Sequence, residues 1–266
     1  MAFVDTHCHL NFKSFQNDIQ QVVERALEAG VTKILVPGLD ITTSQEAVEI
    51  ANRFDCVYAA VGIHPNEAQH YAKSQLLTLE KLISDQKVVA VGEIGLDYHH
   101  NPESKLKQVE VLESMLNIAS NKNKPVILHS RKSLDDLLKI ITRWVNTLTK
   151  KPVQTNLFLG VFHAFEGTVE QASIVHELNF AIGVGGPITY KNAVDKQLIV
   201  RNLGISNIVL ETDAPFLSPH PFRGLRNEPS RIPFIAQKIS ELVDSPLDYV
   251  AKLTTQNAKS LFYWDV

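Results

Sequence analysis

Two histidines lie two residues apart in the first apolar segment of the chain, which reads Phe3-Val4-Asp5-Thr6-His7-Cys8-His9-Leu10. Side chains alternate between the two faces of an extended strand, so His7 and His9 are expected on one side and Cys8 on the other. Two imidazoles that converge on one point supply half of the ligands of a divalent metal ion. A His-x-His pair alone is more often a solvated or hydrogen-bonded strand end, so a metal site requires further ligands elsewhere in the chain.

Five more apolar segments end in a histidine or a carboxylate. At one isolated position, such a side chain is more often a cap or a hydrogen-bonded polar group than a metal ligand. Several such endings at corresponding positions are hard to produce by accident, and together they predict a metal site if the segments are strands that end at a common rim. These side chains are His64, Glu93, His129, His163 and Asp213.

Eight short apolar segments alternate with helical patterns and can bring these side chains together. Each segment is a nearly continuous run of Val, Ile, Leu and Ala, which is typical of parallel strands buried on both faces. The predicted strands cover 3–10, 33–37, 57–62, 88–93, 125–129, 157–163, 180–184 and 208–213. The predicted helices cover 15–29, 43–53, 74–84, 105–119, 134–145, 169–178, 232–243 and 246–262, and the last of them is expected to cover an end or side of the sheet. Residues 148–156 form a polar connection with little pattern.

Eight strand–helix units close most economically as a (β/α)8 TIM barrel, with a doubly wound open sheet as the alternative fold. In a barrel of this kind, active sites lie at the carboxyl-terminal ends of the strands. The candidate ligands stand at those ends. The sequence therefore predicts a TIM barrel with a metal centre at its rim.

Composition narrows the class of protein. With 266 residues and 44% hydrophobic content, residues 1–266 are expected to form a single domain. A net charge of -3 provides no global basic field, so any recognition of phosphate must be local.

The two cysteines cannot form a disulfide framework. The chain starts without a basic and apolar leader, and no segment approaches the roughly 18 apolar residues of a membrane span. We expect a cytoplasmic protein without a membrane association.

The number of candidate ligands favours two metal ions rather than one. A single divalent ion takes about four to six ligands, and six protein groups plus water exceed that number. A carboxylate shared by two ions resolves the excess, and Glu93 is the candidate because its strand lies between the two groups of histidines. We assign one ion to His7, His9 and Asp213, the other to His129 and His163, and Glu93 to both. The residues leave the identity of the metal open among Mg, Mn and Zn.

Longer blocks of sequence around these ligands permit a comparison with known families. The blocks are Asp5-Thr6-His7-Cys8-His9-Leu10, Val91-Gly92-Glu93-Ile94-Gly95-Leu96-Asp97-Tyr98, His129-Ser130-Arg131, Leu210-Glu211-Thr212-Asp213-Ala214-Pro215, Arg223-Gly224-Leu225-Arg226-Asn227-Glu228-Pro229 and Asn257-Ala258-Lys259-Ser260-Leu261-Phe262. In this order they resemble the signature blocks of the TatD family of metal-dependent deoxyribonucleases, over nearly the full length. The resemblance implies a TIM barrel of the amidohydrolase superfamily, two divalent cations, and hydrolysis of DNA phosphodiesters, including 3′-to-5′ exonuclease activity.

The chain departs from the family pattern after the sixth strand. It carries Ala164 and Glu166 where the family usually has Cys and Ser. The candidate ligand His163 is retained, so the departure bears on substrate affinity or specificity rather than on metal binding. Phosphotriesterase-like relatives of this superfamily bridge their metals with a carboxylated lysine. Glu93 in that place favours the nuclease branch.

Hydrolysis of a phosphodiester also requires a base and groups that hold phosphate. Asp213 is the candidate general base, because it would neighbour the attacking water. The guanidinium groups of Arg131, Arg223 and Arg226 are candidate phosphate ligands, since a planar fork of donors fits phosphate. For each arginine, the alternative is a solvated charge or a structural ion pair.

Four further residues have open roles. His64 exceeds the ligands required, which leaves a substrate contact, a supporting contact or a structural role. Glu211 shares strand parity with Asp213 and is either a partner of a ligand histidine or half of a buried ion pair. Asp97 is either a loop cap or a supporting carboxylate, and Cys8 is expected to be a small core residue.

Three functions remain in competition. The first is a metal-dependent deoxyribonuclease that acts on DNA as single strands or free ends, which a rim pocket reaches more easily than a duplex interior. The second is a hydrolase of a C–N or ester bond, such as an aminoacyl-tRNA deacylase. The third, a non-catalytic nucleic-acid-binding protein, is disfavoured by the net charge and by 8% aromatic content. None of them requires an obligate protein partner.

Overall fold

The fold is an eight-stranded parallel sheet whose strands are hydrogen-bonded in chain order. The computed structural model describes residues 1–148 and 158–264. Every neighbouring pair of strands is parallel, from the first pair to the last. The strands are β1 (Phe3–Asp5), β2 (Val31–Pro37), β3 (Val57–Val61), β4 (Val88–Asp97), β5 (Val126–Arg131), β6 (Gly160–Phe162), β7 (Phe180–Val184) and β8 (Ile208–Leu210).

The first and last strands meet and bring the sheet into a nearly closed barrel. The Thr6 amide donates to the Leu210 carbonyl at 2.9 Å, and the Asp213 amide donates to the His7 carbonyl at 2.9 Å. Cys8 continues this contact as a parallel bridge to Ala214. The predicted TIM barrel is therefore confirmed, and the open sheet considered as its alternative is wrong for this chain.

A helix follows every strand and covers the outside of the barrel. The helices are α1 (Ile19–Glu28), α2 (Ile41–Arg53), α3 (Leu76–Ile83), α4 (Lys105–Lys122), α5 (Leu134–Thr147), α6 (Val169–Glu177), α7 (Val194–Leu203), α8 (Ile232–Leu242) and α9 (Leu247–Phe262). The sequence pattern did not predict α7. Its Val194 and Leu198 are exposed whereas Ile199 and Val200 are buried, so apolar side chains occur around the helix rather than along one face.

The strands end earlier at β1 and β8, and later at β4 and β5, than the sequence predicted. The Asp5 carboxylate explains the early ends, because it accepts from the Thr212 amide at 2.9 Å and the Thr212 hydroxyl at 2.6 Å in place of regular ladder bonds. His7 and His9 therefore lie just beyond a regular strand. Residues 149–156 of the predicted polar connection and the predicted strand start at 157 lie outside the described residues.

The last helix closes the amino-terminal end of the barrel. Leu261, Phe262 and Trp264 pack against buried side chains of the barrel interior, among them Val4 and Leu35. Polar bonds fix the same helix to the segments that precede the first and last strands: Thr255 donates to the Ala2 carbonyl at 2.9 Å, and Asn257 donates to the Ile205 carbonyl at 2.9 Å. The opposite, carboxyl-terminal end is left to the candidate ligands.

No helix of residues 1–148 and 158–264 combines the length and the apolar content that a membrane crossing requires.

The packing of α9 predicts a large cost for removing its buried aromatic ring. Phe262→Ala should lower the free energy of unfolding by about 3–5 kcal/mol, because the cavity would lie in a close-packed interior. Tyr249→Ala is the control, since Tyr249 lies on the same helix and is 51% exposed, and it should change stability by about 0.5 kcal/mol or less. Urea unfolding followed by circular dichroism measures both values. Equal effects of the two substitutions would contradict the assigned role of α9.

Candidate metal centre

Glu93 on β4 lies at the middle of the carboxyl-terminal rim, and its two oxygens face different histidines. Oε2 is 3.2 Å from His7 Nε2, whereas Oε1 is 2.9 Å from His129 Nδ1 and 3.7 Å from His163 Nε2. Only 3% of the side chain is exposed. The carboxylate therefore stands between two groups of nitrogen atoms, which is the arrangement expected of a ligand shared by two ions.

The first group contains His7, His9 and Asp213. The Nε2 atoms of the two histidines are 3.2 Å apart, and His9 Nε2 is 3.4 Å from Asp213 Oδ1. Two neutral imidazole nitrogens that face each other can share at most one proton, so at least one lone pair points into the space between them. The opposite nitrogens, His7 Nδ1 and His9 Nδ1, are buried and have no hydrogen-bond partner among the described residues. This donor set fits a cation better than it fits a hydrogen-bond network.

The second group contains His129, His163 and also His64. His64 Nε2 is 3.6 Å from Glu93 Oε1, which is as close as His163 Nε2. One ligand atom each from His64, Glu93 and His129 lies within 4.8 Å of the others. From the sequence, His64 was predicted to be surplus to coordination, because six other groups already exceed the ligands of one ion. In the structure, His64 lies close enough to Glu93 for either of two roles: a ligand of an ion held by Glu93, or a contact with the substrate.

The charges of the centre suit ligand chemistry. Burial raises the pKa of Glu93, but the imidazoles of His7 and His163 outweigh burial and hold that pKa well below its usual range. The pKa of Asp213 is also lowered, since the hydrogen bond from His9 and the charge of His163 outweigh burial. Burial lowers the pKa of His64 to about 3. Ionised carboxylates and a neutral imidazole are the forms that bind metal ions.

The carboxylates around His163 favour its protonated form. Burial lowers its pKa, but the nearby Glu211 and Glu93 outweigh burial and raise it to about 10. Its Nδ1 atom is 3.3 Å from Glu211 Oε1, which also accepts from the Ala164 amide at 2.6 Å. A side chain at Gly183 would fall 2.2 Å from Glu211 Oε2, so the glycine makes room for this carboxylate. Of the two roles considered for Glu211, the geometry favours the partner of a ligand histidine.

Asp97 supports His129 from the other side. Its Oδ2 atom is 3.3 Å from His129 Nε2 and 2.7 Å from His100 Nδ1. Its Oδ1 atom accepts from the backbone amides of His99 and His100, each at 2.9 Å. The sequence left open whether Asp97 caps the loop or supports a ligand, and in the structure it caps the loop and also contacts the candidate ligand His129.

Asp5 contributes to the centre although it was not predicted as a site residue. It is fully buried, and burial raises its pKa to about 7 although hydrogen bonds from Thr212 act in the opposite direction. By binding Thr212, it joins the segment that carries His7 to the one that carries Asp213. A charged residue within an apolar strand was the available signal. Cys8 is fully buried, as predicted for a small core residue.

The three candidate phosphate-binding arginines differ in their surroundings. Arg131 is exposed at the end of β5, and Arg223 is exposed with its guanidinium 4.3 Å from the Tyr190 ring centroid. Arg226 instead donates two hydrogen bonds to the Asp18 carboxylate, at 2.8 and 2.6 Å. For Arg226 the geometry favours the alternative of a structural ion pair.

Comparison with known proteins gives the family. The family model described as TatD related DNase matches residues 4–263. The chain belongs to the TatD family. A TatD relative from Bacillus subtilis, named uncharacterized metal-dependent hydrolase YabD, is 38% identical over 97% of this chain and 98% of its own length. The protein is accordingly a member of a family of metal-dependent hydrolases.

Two further relatives are similar to this chain over nearly its full length. The crystal structure of YjjV from Escherichia coli K12 superposes with a TM-score of 0.90 at 34% identity, covering 99% of this chain and 98% of that one. A relative from Edwardsiella piscicida, 29% identical over 97% of this chain and 98% of its own length, is named 3′-5′ ssDNA/RNA exonuclease TatD.

The position of Glu93 predicts the metal content of a variant. Glu93→Ala should lose most of the bound metal, because both groups of imidazoles lose their shared carboxylate. Glu166→Ala is the control, since this exposed carboxylate pairs with Lys196 at 3.4 Å and should leave the metal content unchanged. Mass-spectrometric metal analysis after dialysis gives the ratio of ions to protein. Retention of two ions by Glu93→Ala would refute the shared role of Glu93.

Proposed function

We propose that this TatD-family hydrolase is a metal-dependent deoxyribonuclease that cleaves DNA phosphodiesters as a 3′-to-5′ exonuclease on single strands or free ends. The observation that carries the proposal is the placement of Glu93 between His7 and His129, because one buried carboxylate between two groups of imidazoles is suited to a pair of cations. The family description and the name of the Edwardsiella relative support DNA as the substrate. The predicted cytoplasmic location agrees with such a substrate.

The residues that would hold the two cations come from the two groups. His7, His9 and Asp213 would bind one ion, His129 and His163 the other, and Glu93 both. When bound, such a pair of divalent ions lowers the pKa of water and neutralises charge on the phosphoryl oxygens. Zinc and manganese suit the imidazoles, whereas magnesium prefers oxygen ligands.

Asp213 is the proposed general base. Its Oδ1 atom is 3.4 Å from Nε2 of the candidate ligand His9, so the carboxylate would lie beside a water bound at the centre and could accept its proton. Its side chain is 15% exposed, compared with 3% for Glu93, so it is the carboxylate of the pair that faces the open rim. Glu93 contributes by holding charge in place rather than by proton transfer.

Arg131 and Arg223 are the proposed ligands of the substrate phosphates. Both are exposed, and neither guanidinium has an ion-pair partner among residues 1–148 and 158–264. We do not extend this role to Arg226, because Asp18 occupies its donors. His64 remains a candidate substrate contact beside Glu93.

A substrate panel tests the proposed activity. We expect turnover of single-stranded DNA in the presence of Mg, Mn or Zn, slower cleavage of blunt duplex DNA, and loss of turnover on removal of the metal with a chelator. Asp213→Asn should reduce the rate about 100-fold or more, which ties the activity to this centre. RNA and aminoacyl-tRNA complete the panel. Hydrolysis of aminoacyl-tRNA without cleavage of DNA would replace the proposal by the deacylase alternative.

The two exposed guanidinium groups predict a difference between substrates. Arg223→Ala should raise KM for a single-stranded oligonucleotide more than for a small phosphodiester, because only the longer substrate reaches a phosphate beyond the cleaved one. Arg226→Ala is the matched control, and it should lower stability through the lost Asp18 pair without this difference in KM. Steady-state kinetics on both substrates gives the comparison. Equal losses on the two substrates for Arg223→Ala would argue against a contact with the phosphate backbone.

A further inference from the structure

An exposed apolar segment lies directly beside the candidate base. The loop that follows Asp213 carries Phe216, Leu217 and Leu225, which are 50%, 41% and 61% exposed. Single exposed apolar residues are common on protein surfaces, but a group of them next to a catalytic centre usually marks a binding surface.

The backbone that carries Phe216 is held in place although its ring is exposed. The Phe216 amide donates to the Asp213 carbonyl at 2.9 Å. The side-chain amide of Asn227, which is fully buried, donates to the Phe216 carbonyl and to the Thr212 carbonyl, each at 2.8 Å. These hydrogen bonds hold the backbone at Phe216 in place. The exposed ring therefore projects from an ordered segment.

The ring of Phe216 belongs to an aromatic group that reaches the metal centre. Phe12 stacks on the candidate ligand His9 with ring centroids 4.6 Å apart. Phe216 contacts both rings edge-on, at 6.4 Å from His9 and 5.9 Å from Phe12. His9 Nε2 lies 3.4 Å from Asp213 Oδ1. Phe216 thus contacts His9, and His9 contacts Asp213, the proposed general base. A flat group stacked on Phe216 would therefore lie close to the reacting atoms.

We infer that Phe216, supported by Phe12, is a stacking surface for the nucleobase adjacent to the cleaved phosphodiester. The inference rests on the proposed nuclease function and adds the group that positions the strand. Stacking on an aromatic ring accepts any base, since every base has a flat apolar face. A base paired and stacked within a duplex does not offer that face, so Phe216 would favour single strands and frayed ends. Arg223, exposed in the same loop, would hold a phosphate of that strand.

The test compares Phe216 with an aromatic residue of similar exposure. Phe216→Ala should raise KM for a single-stranded oligonucleotide about 5- to 100-fold and change kcat less, because one base loses its stacking partner. Phe216→Trp should restore the wild-type KM. Phe234→Ala is the control, since Phe234 is 43% exposed on α8 and packs on Phe222 at 5.0 Å instead of on His9.

A spectroscopic readout locates the base. Phosphorothioate oligonucleotides that resist cleavage carry 2-aminopurine at successive positions from the 3′ end, and its fluorescence falls when it stacks. We expect quenching at one position near the end with the wild type and Phe216→Trp, and loss of that quenching with Phe216→Ala.

The outcomes separate this inference from the proposed function. If the wild type cleaves single strands and Phe216→Ala has an unchanged KM and unchanged quenching, the stacking role is overturned while the nuclease remains. If the wild type cleaves no nucleic acid under any of the metals, both proposals fail.

Discussion

The buried carboxylate of Glu93 is the group on which the rest of the rim depends. Removing an ionised carboxylate from water is costly unless opposite charge or hydrogen-bond donors surround it. Here imidazole nitrogens from β5 and from the segment after β1 lie within 3.2 Å of its two oxygens. A carboxylate at this position thus fixes where the ends of three strands must stand relative to one another.

Further buried acids hold the imidazoles in turn. Asp97 contacts His129, and Glu211 contacts His163. Asp5, at the end of β1, binds Thr212, which follows β8. So many acidic groups in one interior would repel each other strongly without compensating charge. Protons on the histidines can supply that charge, and divalent cations can supply it more completely. The repulsion between these buried acidic groups opposes folding. The same repulsion favours the binding of cations at the rim.

Much of this arrangement could be predicted from the sequence because it follows from simple periodicity. The near-continuous apolar strands predicted a parallel sheet, and ligands at corresponding strand ends predicted a shared rim. The prediction did not capture contacts set by tertiary packing. The ion pair of Arg226 with Asp18 joins residues far apart in the chain, and α7 carries apolar residues on more than one side. The place of His64 beside Glu93 likewise depends on how neighbouring strands approach, which no local pattern encodes.

Some groups of the candidate site are buried in the barrel, and others are exposed at its surface. Glu93 and the imidazoles of His7 and His163 are buried, and they hold charge in place. Phe216 and Arg223 are exposed at the surface, where the proposed contacts with a single strand would form. Ala164 and Glu166, which depart from the family pattern, lie on the same side of the barrel, and the pairing of Glu166 with Lys196 compensates its added charge.

The most direct test of the shared carboxylate is anomalous diffraction from crystals grown with manganese. The account predicts two anomalous peaks about 4 Å apart, each bound to a different oxygen of Glu93, with the imidazoles of His7 and His129 on opposite ions. A single peak, or two peaks of which neither is bound to Glu93, would contradict it.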